Sequence, residues 1–198
     1  MDSYEAARRD IKTGSVILFS GTGPISIGIR LFTRSIYSHV GLAYRIPEID
    51  ALLLYESTTL SNVADLDGEL REGVQLVLLS ERVRTYPGRI DVRHLSEDLT
   101  QPQREALGEF RQRVKGRPYE QSRLELVKSA WDGRLFSDNT EDLSSLFCSE
   151  LVAEALQACG VLDDGAEFPS NEFTPADFAG DALPLLGGLT LGDPVRLK

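Results

Sequence analysis

Short apolar runs bounded by turn residues fill much of the first half of the chain, and apolar residues recur at helical spacing through the second. Such short runs between turn signals mark strands. They predict strands over 15–19, 40–44, 52–57, 74–79 and 89–94. In the last of these, Ile90 and Val92 alternate with charged neighbours, the pattern of a strand with one face in water. Residues 45–51, with Pro47 inside, join the second and third strands as a hairpin. Residues 20–24 read as a glycine-rich turn, and Ile25, Gly28, Ile29 and Phe32 as the inner side of a short helix over 25–32. The polar residues 1–12 read as a short helix or a frayed arm.

In the second half, Thr100 caps a helix that carries Pro102 in its first turn, turns Leu107, Phe110 and Val114 inward and stops at Gly116. Residues 119–131 form another helix pattern, with Leu124, Val127 and Trp131 on one side, and 132–142 a polar, acidic loop. In 143–160, Leu151, Val152, Ala155, Leu156 and Cys159 make one apolar stripe; Ser144, Ser145 and Ser149 are candidate amino-terminal caps and Gly160 a left-handed stop. Thereafter the chain is loop-rich, with a helical turn starting at 174–177. Strands first and helices later favour an α+β fold over an alternating α/β one. The length of 198 residues suits one domain, 1–198, with 1–12 as an arm and 179–198 as a C-terminal extension.

Charge narrows the partners. A net charge of −10 with no basic cluster argues against nucleic acid or an anionic membrane surface as the main partner. The most apolar long window, 14–33, is broken by Arg30 and four glycines, so no integral membrane segment is expected. Residues 1–12 lack the apolar core of a signal peptide, and the expectation is a cytoplasmic protein. Gly21-Thr22-Gly23 lacks the remainder of a phosphate-binding loop. Cys148 and Cys159, on one continuous helix, stand roughly 16 Å apart at 1.5 Å rise per residue, well beyond the ~7 Å that a disulfide spans. With two histidines and no metal-type spacing, neither a zinc site nor any other cofactor is expected.

The candidate chemistry starts at Cys148, which lies within about one turn of the positive end of its helix. Thiols so placed ionise more readily, and the thiolate is the reactive form; the plain alternative is an inert buried cysteine. His39 stands in Ser38-His39-Val40-Gly41-Leu42-Ala43-Tyr44, with Gly41 and Ala43 leaving room on its face. A hairpin centred on the Pro47–Glu48 bond sets Glu56 directly opposite His39 on the same face. A carboxylate there orients the imidazole, as in nucleophile–base–orienter triads. A register slip of two leaves the pair diagonal and still close; a slip of one separates it. His94, followed by Ser96-Glu97-Asp98, is the rival base.

These residues carry a resemblance. Gly14-Ser15-Val16-Ile17-Leu18-Phe19, 33–42 around Ser38-His39-Val40-Gly41, Tyr55-Glu56-Ser57, Phe147-Cys148-Ser149-Glu150-Leu151-Val152 and Thr174-Pro175-Ala176-Asp177-Phe178 follow one another in that order. The chain resembles the circularly permuted branch of the NlpC-type papain-like superfamily, in particular YiiX-like (YebB-like) proteins, with lecithin retinol acyltransferase a more distant relative. The resemblance implies a small antiparallel sheet or half-barrel packed on the cysteine helix, histidine before cysteine in the chain, and a third polar residue that maps to Glu56. Ser15 stands where the family more often has aspartate. The implied activity is a thiol hydrolase acting on an amide of the cell-wall-peptide or γ-glutamyl type, with Cys148 as nucleophile, His39 as base and Glu56 as orienter. The Cys148 backbone N–H is the natural oxyanion donor. Tyr37, Ser38 and Tyr119 are candidates to line the site or supply a second donor. The alternatives are an acyltransferase or lipid thioesterase using the same thioester, and a non-catalytic binding module. The expected partner is a small peptide, amide or acyl substrate.

Overall fold

The computed structural model describes residues 2–117 and 144–198. The helix expected over 119–131, the loop over 132–142 and Tyr119 lie outside the described residues. The strands are β1 (Val16–Gly21), β2 (His39–Ile46), β3 (Ala51–Thr58), β4 (Gly73–Leu78), β5 (Gly88–Arg93) and β6 (Val195–Arg196). The helices are α1 (Asp2–Ala7), α2 (Pro24–Thr33), α3 (Leu79–Thr85), α4 (Gln101–Val114), α5 (Ser144–Ala158) and α6 (Pro175–Ala179). All six strands join one sheet in the order β4-β3-β2-β1-β5-β6, every pairing antiparallel. The fold is α+β.

Both faces of the sheet are covered. Val16, Leu18, Val40, Leu42, Leu53 and Tyr55 point to one side and pack with the apolar residues of α4, α5 and α6. Ile17, Phe19, Leu54, Ile90 and Val92 point to the other and pack with Tyr4 of α1 and Leu79 and Val83 of α3. The strand over 89–94 is therefore not half-exposed as its alternation suggests. Asp91 and Arg93 are as buried as Ile90 and Val92. Their charges are matched inside: Asp91 meets Arg89 and Arg196, and Arg93 donates to the carbonyls of Phe178, Gly180, Leu191 and Gly192. A polar residue in an alternating pattern marks water only when no partner waits indoors.

Arg93 thereby fastens the C-terminal stretch to the sheet. The 179–198 segment is not a loose extension, since β6 pairs with β5 and Leu197 is fully buried. The cysteine helix ends as its sequence demands. Gly160 adopts φ +65°, Val161 N–H returns to Leu156 O at 2.8 Å and Gly160 N–H to Gln157 O at 2.9 Å, a Schellman closure. The apolar stripe Leu151, Val152, Ala155, Leu156 and Cys159 is buried throughout. Both cysteines are free thiols. Ser149 is no cap: its hydroxyl lies inside the helix and donates to Phe173 O. Among the described residues, no helix is long and apolar enough to cross a membrane.

The β2–β3 register differs from the expected one by two residues. A 3-10 turn over Pro47–Ile49, closed by Asp50 at φ 46°, confines the loop to 47–50, moves its centre toward β3 and pairs Ile46 with Ala51 and Leu42 with Tyr55. Gly41, not His39, then stands across from Glu56. The absent side chain at 41 is what admits the carboxylate: a Cβ there would lie 2.7 Å from Leu54 Cδ1, 3.0 Å from Tyr55 O and 3.3 Å from Glu56 Cβ.

Candidate active site

His39 opens β2 directly across from Phe19 of β1, with the ring centroids 5.0 Å apart. The slipped register makes Glu56 its diagonal neighbour, a separation that a long side chain spans. His39 Nε2 and Glu56 Oε2 are 2.9 Å apart. Glu56 is fully buried, and so is the arginine behind it. Arg82 Nε donates to Glu56 Oε1 at 2.9 Å, and Nη2 stands 2.8 Å from the same oxygen. Arg82 Nη1 reaches outward to Asn62 Oδ1 at 2.6 Å.

On the other side of the imidazole lies sulfur. The Cys148 side chain hydrogen-bonds His39. With Nε2 given to Glu56, Nδ1 is the ring nitrogen left for it. Cys148 belongs to the apolar cluster beneath α5, and the pair meets where β2 begins. The side chains thus form a buried chain running Cys148–His39–Glu56–Arg82.

The electrostatics follow from this sequence of contacts. Burial alone disfavours the imidazolium. The Cys148 sulfur, by charge and by hydrogen bond, and then the Glu56 carboxylate outweigh it, and His39 is raised to about 9. Burial likewise disfavours the Glu56 carboxylate, but the Arg82 guanidinium and then His39 hold it below the usual carboxylate range. Cys159, by contrast, has no charged partner among the described residues, and burial pushes its thiol up to about 11.

The remaining sequence candidates fall differently. Ser38 is buried beside His39; its hydroxyl accepts from Gly21 N–H at 3.1 Å and faces Phe19 O at 3.5 Å. Tyr37 does not share the His39 face, because β2 starts only at His39 and the alternation does not reach back. It packs in the α5-side cluster and donates to Asp91 Oδ2 at 2.7 Å; burial, then Asp91, pushes the phenol up to about 12. His94 lies at the far end of the sheet, next to Arg93, which pairs with Val16; His39 pairs with Phe19 at the other end of β1. Its Nδ1 is 3.1 Å from Asp10 O, and it touches no part of the cysteine cluster. The Cys148 N–H is also not at the helix start. Cys148 is the fifth residue of α5 as described, one turn in from Ser144.

Arg82 and Tyr86 escaped the sequence reading, which ran a strand to 79 and gave 80–88 no element. The signal was present: Leu79, Arg82, Val83 and Tyr86 recur at i, i+3, i+4 and i+7, a helical stripe with an arginine in it. All four are buried. An arginine inside an apolar stripe announces a buried acid partner, here Glu56.

No protein-family model and no curated protein matches the chain. Among solved structures, the chain is similar to the metalloprotein yiiX from Escherichia coli O157:H7, described as DUF1105. That likeness has a TM-score of 0.51 at 20% sequence identity and covers 94% of this chain and 89% of the other. The chain therefore carries the YiiX fold, with histidine strand before cysteine helix.

Proposed function

We propose that the protein is a thiol hydrolase that cleaves an amide bond through a thioester on Cys148. The observation that supports this most is the buried file of four side chains, because a free thiol, an imidazole and a carboxylate in mutual contact are costly to bury for packing alone. In the proposed cycle, His39 holds the proton taken from the Cys148 thiol and the sulfur attacks the substrate carbonyl. As the tetrahedral adduct collapses, His39 hands that proton to the leaving amine. It then takes a proton from the water that opens the thioester and returns the enzyme to its resting state. Glu56 keeps the ring in one tautomer and stabilises the imidazolium. Arg82 keeps Glu56 ionised, a task water performs at an exposed site and cannot perform here. By resemblance, the substrate is a peptide or amide of the cell-wall or γ-glutamyl type.

The solved neighbour is described as a metalloprotein. The described residues of this chain do not fit that group. They contain no cluster of three histidine, cysteine or acidic side chains able to hold an ion. In the triad itself, both oxygens of Glu56 are taken, by Arg82 and by His39 Nε2. No step is routed through a metal.

Alkylation by iodoacetamide, followed by peptide mass, tests the reading. At neutral pH Cys148 should react well ahead of Cys159, and His39→Ala should remove that advantage. Murein peptides, acyl-amides and phospholipids, with Cys148→Ala as control, then give the substrate class. Alkylation of Cys148 no faster than that of Cys159, or at a rate unchanged by His39→Ala, would refute the hydrolase.

A further inference from the structure

A recess of about 150 Å³ opens beside His39 on the α3 side of the sheet. Ser38, Tyr86, Thr58 and Thr59 wall it, and Ser26 of α2 narrows its mouth. Among the described residues, His39 is its one ionisable side chain apart from the Tyr86 phenol, which burial pushes up to about 12 and so keeps neutral. No carboxylate, lysine or arginine among the described residues borders it, and neither does Cys148.

We infer that this recess is the leaving-group subsite of the reaction proposed above, on which the inference rests, and that it accepts a small uncharged amine or alcohol. Position assigns the side. The acyl carbon bonds to sulfur, whereas the departing nitrogen or oxygen must receive its proton from His39. A space bordered by the imidazole and not by the thiol is where the departing fragment lies. Size follows from volume. A cavity of about 150 Å³ holds a molecule on the order of benzene, so an alanyl-sized fragment enters and a long alkyl or aromatic side chain does not. Charge follows from the lining, since an ionised fragment would leave water for hydroxyls and backbone, with no charged side chain among the described residues but His39 to match it. The hydroxyls of Ser26 and Thr59 have no partner among the described residues and are available to an amide. Gly21 brings the walls together: a Cβ there would fall 2.3 Å from Ser26 Oγ and 2.9 Å from the Tyr86 hydroxyl.

Acyl transfer reads this subsite directly, because an amine that opens the thioester enters where the leaving group left. The amine nitrogen bonds to the acyl carbon, the carbon–sulfur bond breaks, and the amine proton passes to His39, restoring the resting pair. The experiment loads Cys148 with p-nitrophenyl acetate and measures the N-acetyl product against acetate. Alaninamide should outcompete phenylalaninamide by about tenfold or more. It should outcompete alanine, whose carboxylate has no partner in the recess, by a similar factor. Tyr86→Ala should admit phenylalaninamide, and Ser26→Leu, on the half-exposed α2, should narrow the recess and lower the yield from alaninamide. Equal partition among the three amines, or the same ratios in both variants, overturns the inference and leaves the hydrolase standing. Failure of Cys148 to acetylate at all overturns the hydrolase reading and this one with it.

Discussion

Two carboxylates lie fully buried in the same sheet, and their surroundings separate chemistry from architecture. Glu56, on the α3 side, sits between His39 and an arginine that is itself fully buried. Asp91, on the α5 side, sits between Tyr37 and two arginines whose side chains are 37% and 51% exposed. Both acids are hydrogen-bonded and both are matched by positive charge. Asp91 is matched by two arginines that stay partly in water. Glu56 is matched on one side by a permanent charge sealed from water and on the other by the His39 ring, which contacts the Cys148 side chain. The first arrangement holds β5 and β6 to the rest of the molecule. The second is the one on which the proposed hydrolase rests.

The largest effect expected from this contrast is on turnover. His39→Ala should lower activity by about a thousandfold, the usual worth of a positioned acid–base group, and Cys148→Ala should abolish it. Asp91→Asn should leave the pH profile of whatever activity remains where it was. Steady-state rates on the substrate found by the panel above check all three, and an Asp91→Asn enzyme as inactive as His39→Ala would erase the distinction.

The next effect is on stability. Glu56→Gln strands the Arg82 guanidinium in a site without water, and breaking a buried pair in this way costs about 3–5 kcal/mol. Asp91→Asn keeps one acceptor oxygen and leaves arginines that can turn to solvent, so its cost should be nearer 1–2 kcal/mol. Urea denaturation of the two variants measures both.

How far the sequence foretold this contrast depends on which signals are local. Cys148, His39 and Glu56 were legible because each sits in a short run whose period fixes its face, and because the cysteine and histidine runs resemble known ones. The pairing of His39 with Glu56 survived a wrong register only because the error was two residues and not one. A hairpin whose centre is moved by the 3-10 turn at Pro47–Ile49 shifts the register by two and leaves side chains on the same face. Arg82 was missed because a charged residue in a short helix reads as solvated until its distant partner is known. The burial of Asp91 and Arg93 was missed for the same reason. Their partners Arg196, Gly180 and Leu191 lie about a hundred residues away, and nothing in the run 89–94 points there.

The pH dependence of folding should distinguish the clusters without a substrate. His39 is raised from its ordinary 6.5 to about 9. Its protonated form is therefore favoured by folding. That stabilisation is complete below pH 6.5 and is lost as pH climbs through about 9. Glu56 is depressed, so its share is present above the ordinary carboxylate range and lost as pH falls through its lowered value. Thermal unfolding of the native protein should accordingly weaken between pH 6.5 and 9, and His39→Gln should remove that slope. A slope of equal size in His39→Gln would place its source elsewhere.

Gly41→Ala probes the same cluster more gently. The new methyl meets Leu54 and the Tyr55 carbonyl at distances that require movement. Overpacking of this kind costs about 1–3 kcal/mol. Because Glu56 Cβ lies among the crowded atoms, the substitution should also disturb the contact between Glu56 and His39. Activity should fall with the stability, and the alkaline limb of the activity profile should move below its native position. An alanine that costs stability while leaving that limb fixed would mean that the contact tolerates displacement.

The smallest effect comes from the arginines at the rim, and it sharpens the contrast most. Arg196 is half exposed and is one of three groups on Asp91, with Arg89 and Tyr37 remaining if it is removed. Partly exposed ion pairs contribute about 0–1 kcal/mol, so Arg196→Ala should shift the urea midpoint barely, and less still in high salt. Arg82→Ala removes the one permanent charge beside Glu56 and leaves that carboxylate facing His39 in a dry site. Its cost should be several-fold larger and should hold at high salt, because ions do not reach a pair sealed from solvent. Comparable losses in the two variants would show that burial of the cation does not separate the two acids, and the division of the sheet into a proton-handling face and a fastening face would then have to rest on Cys148 alone.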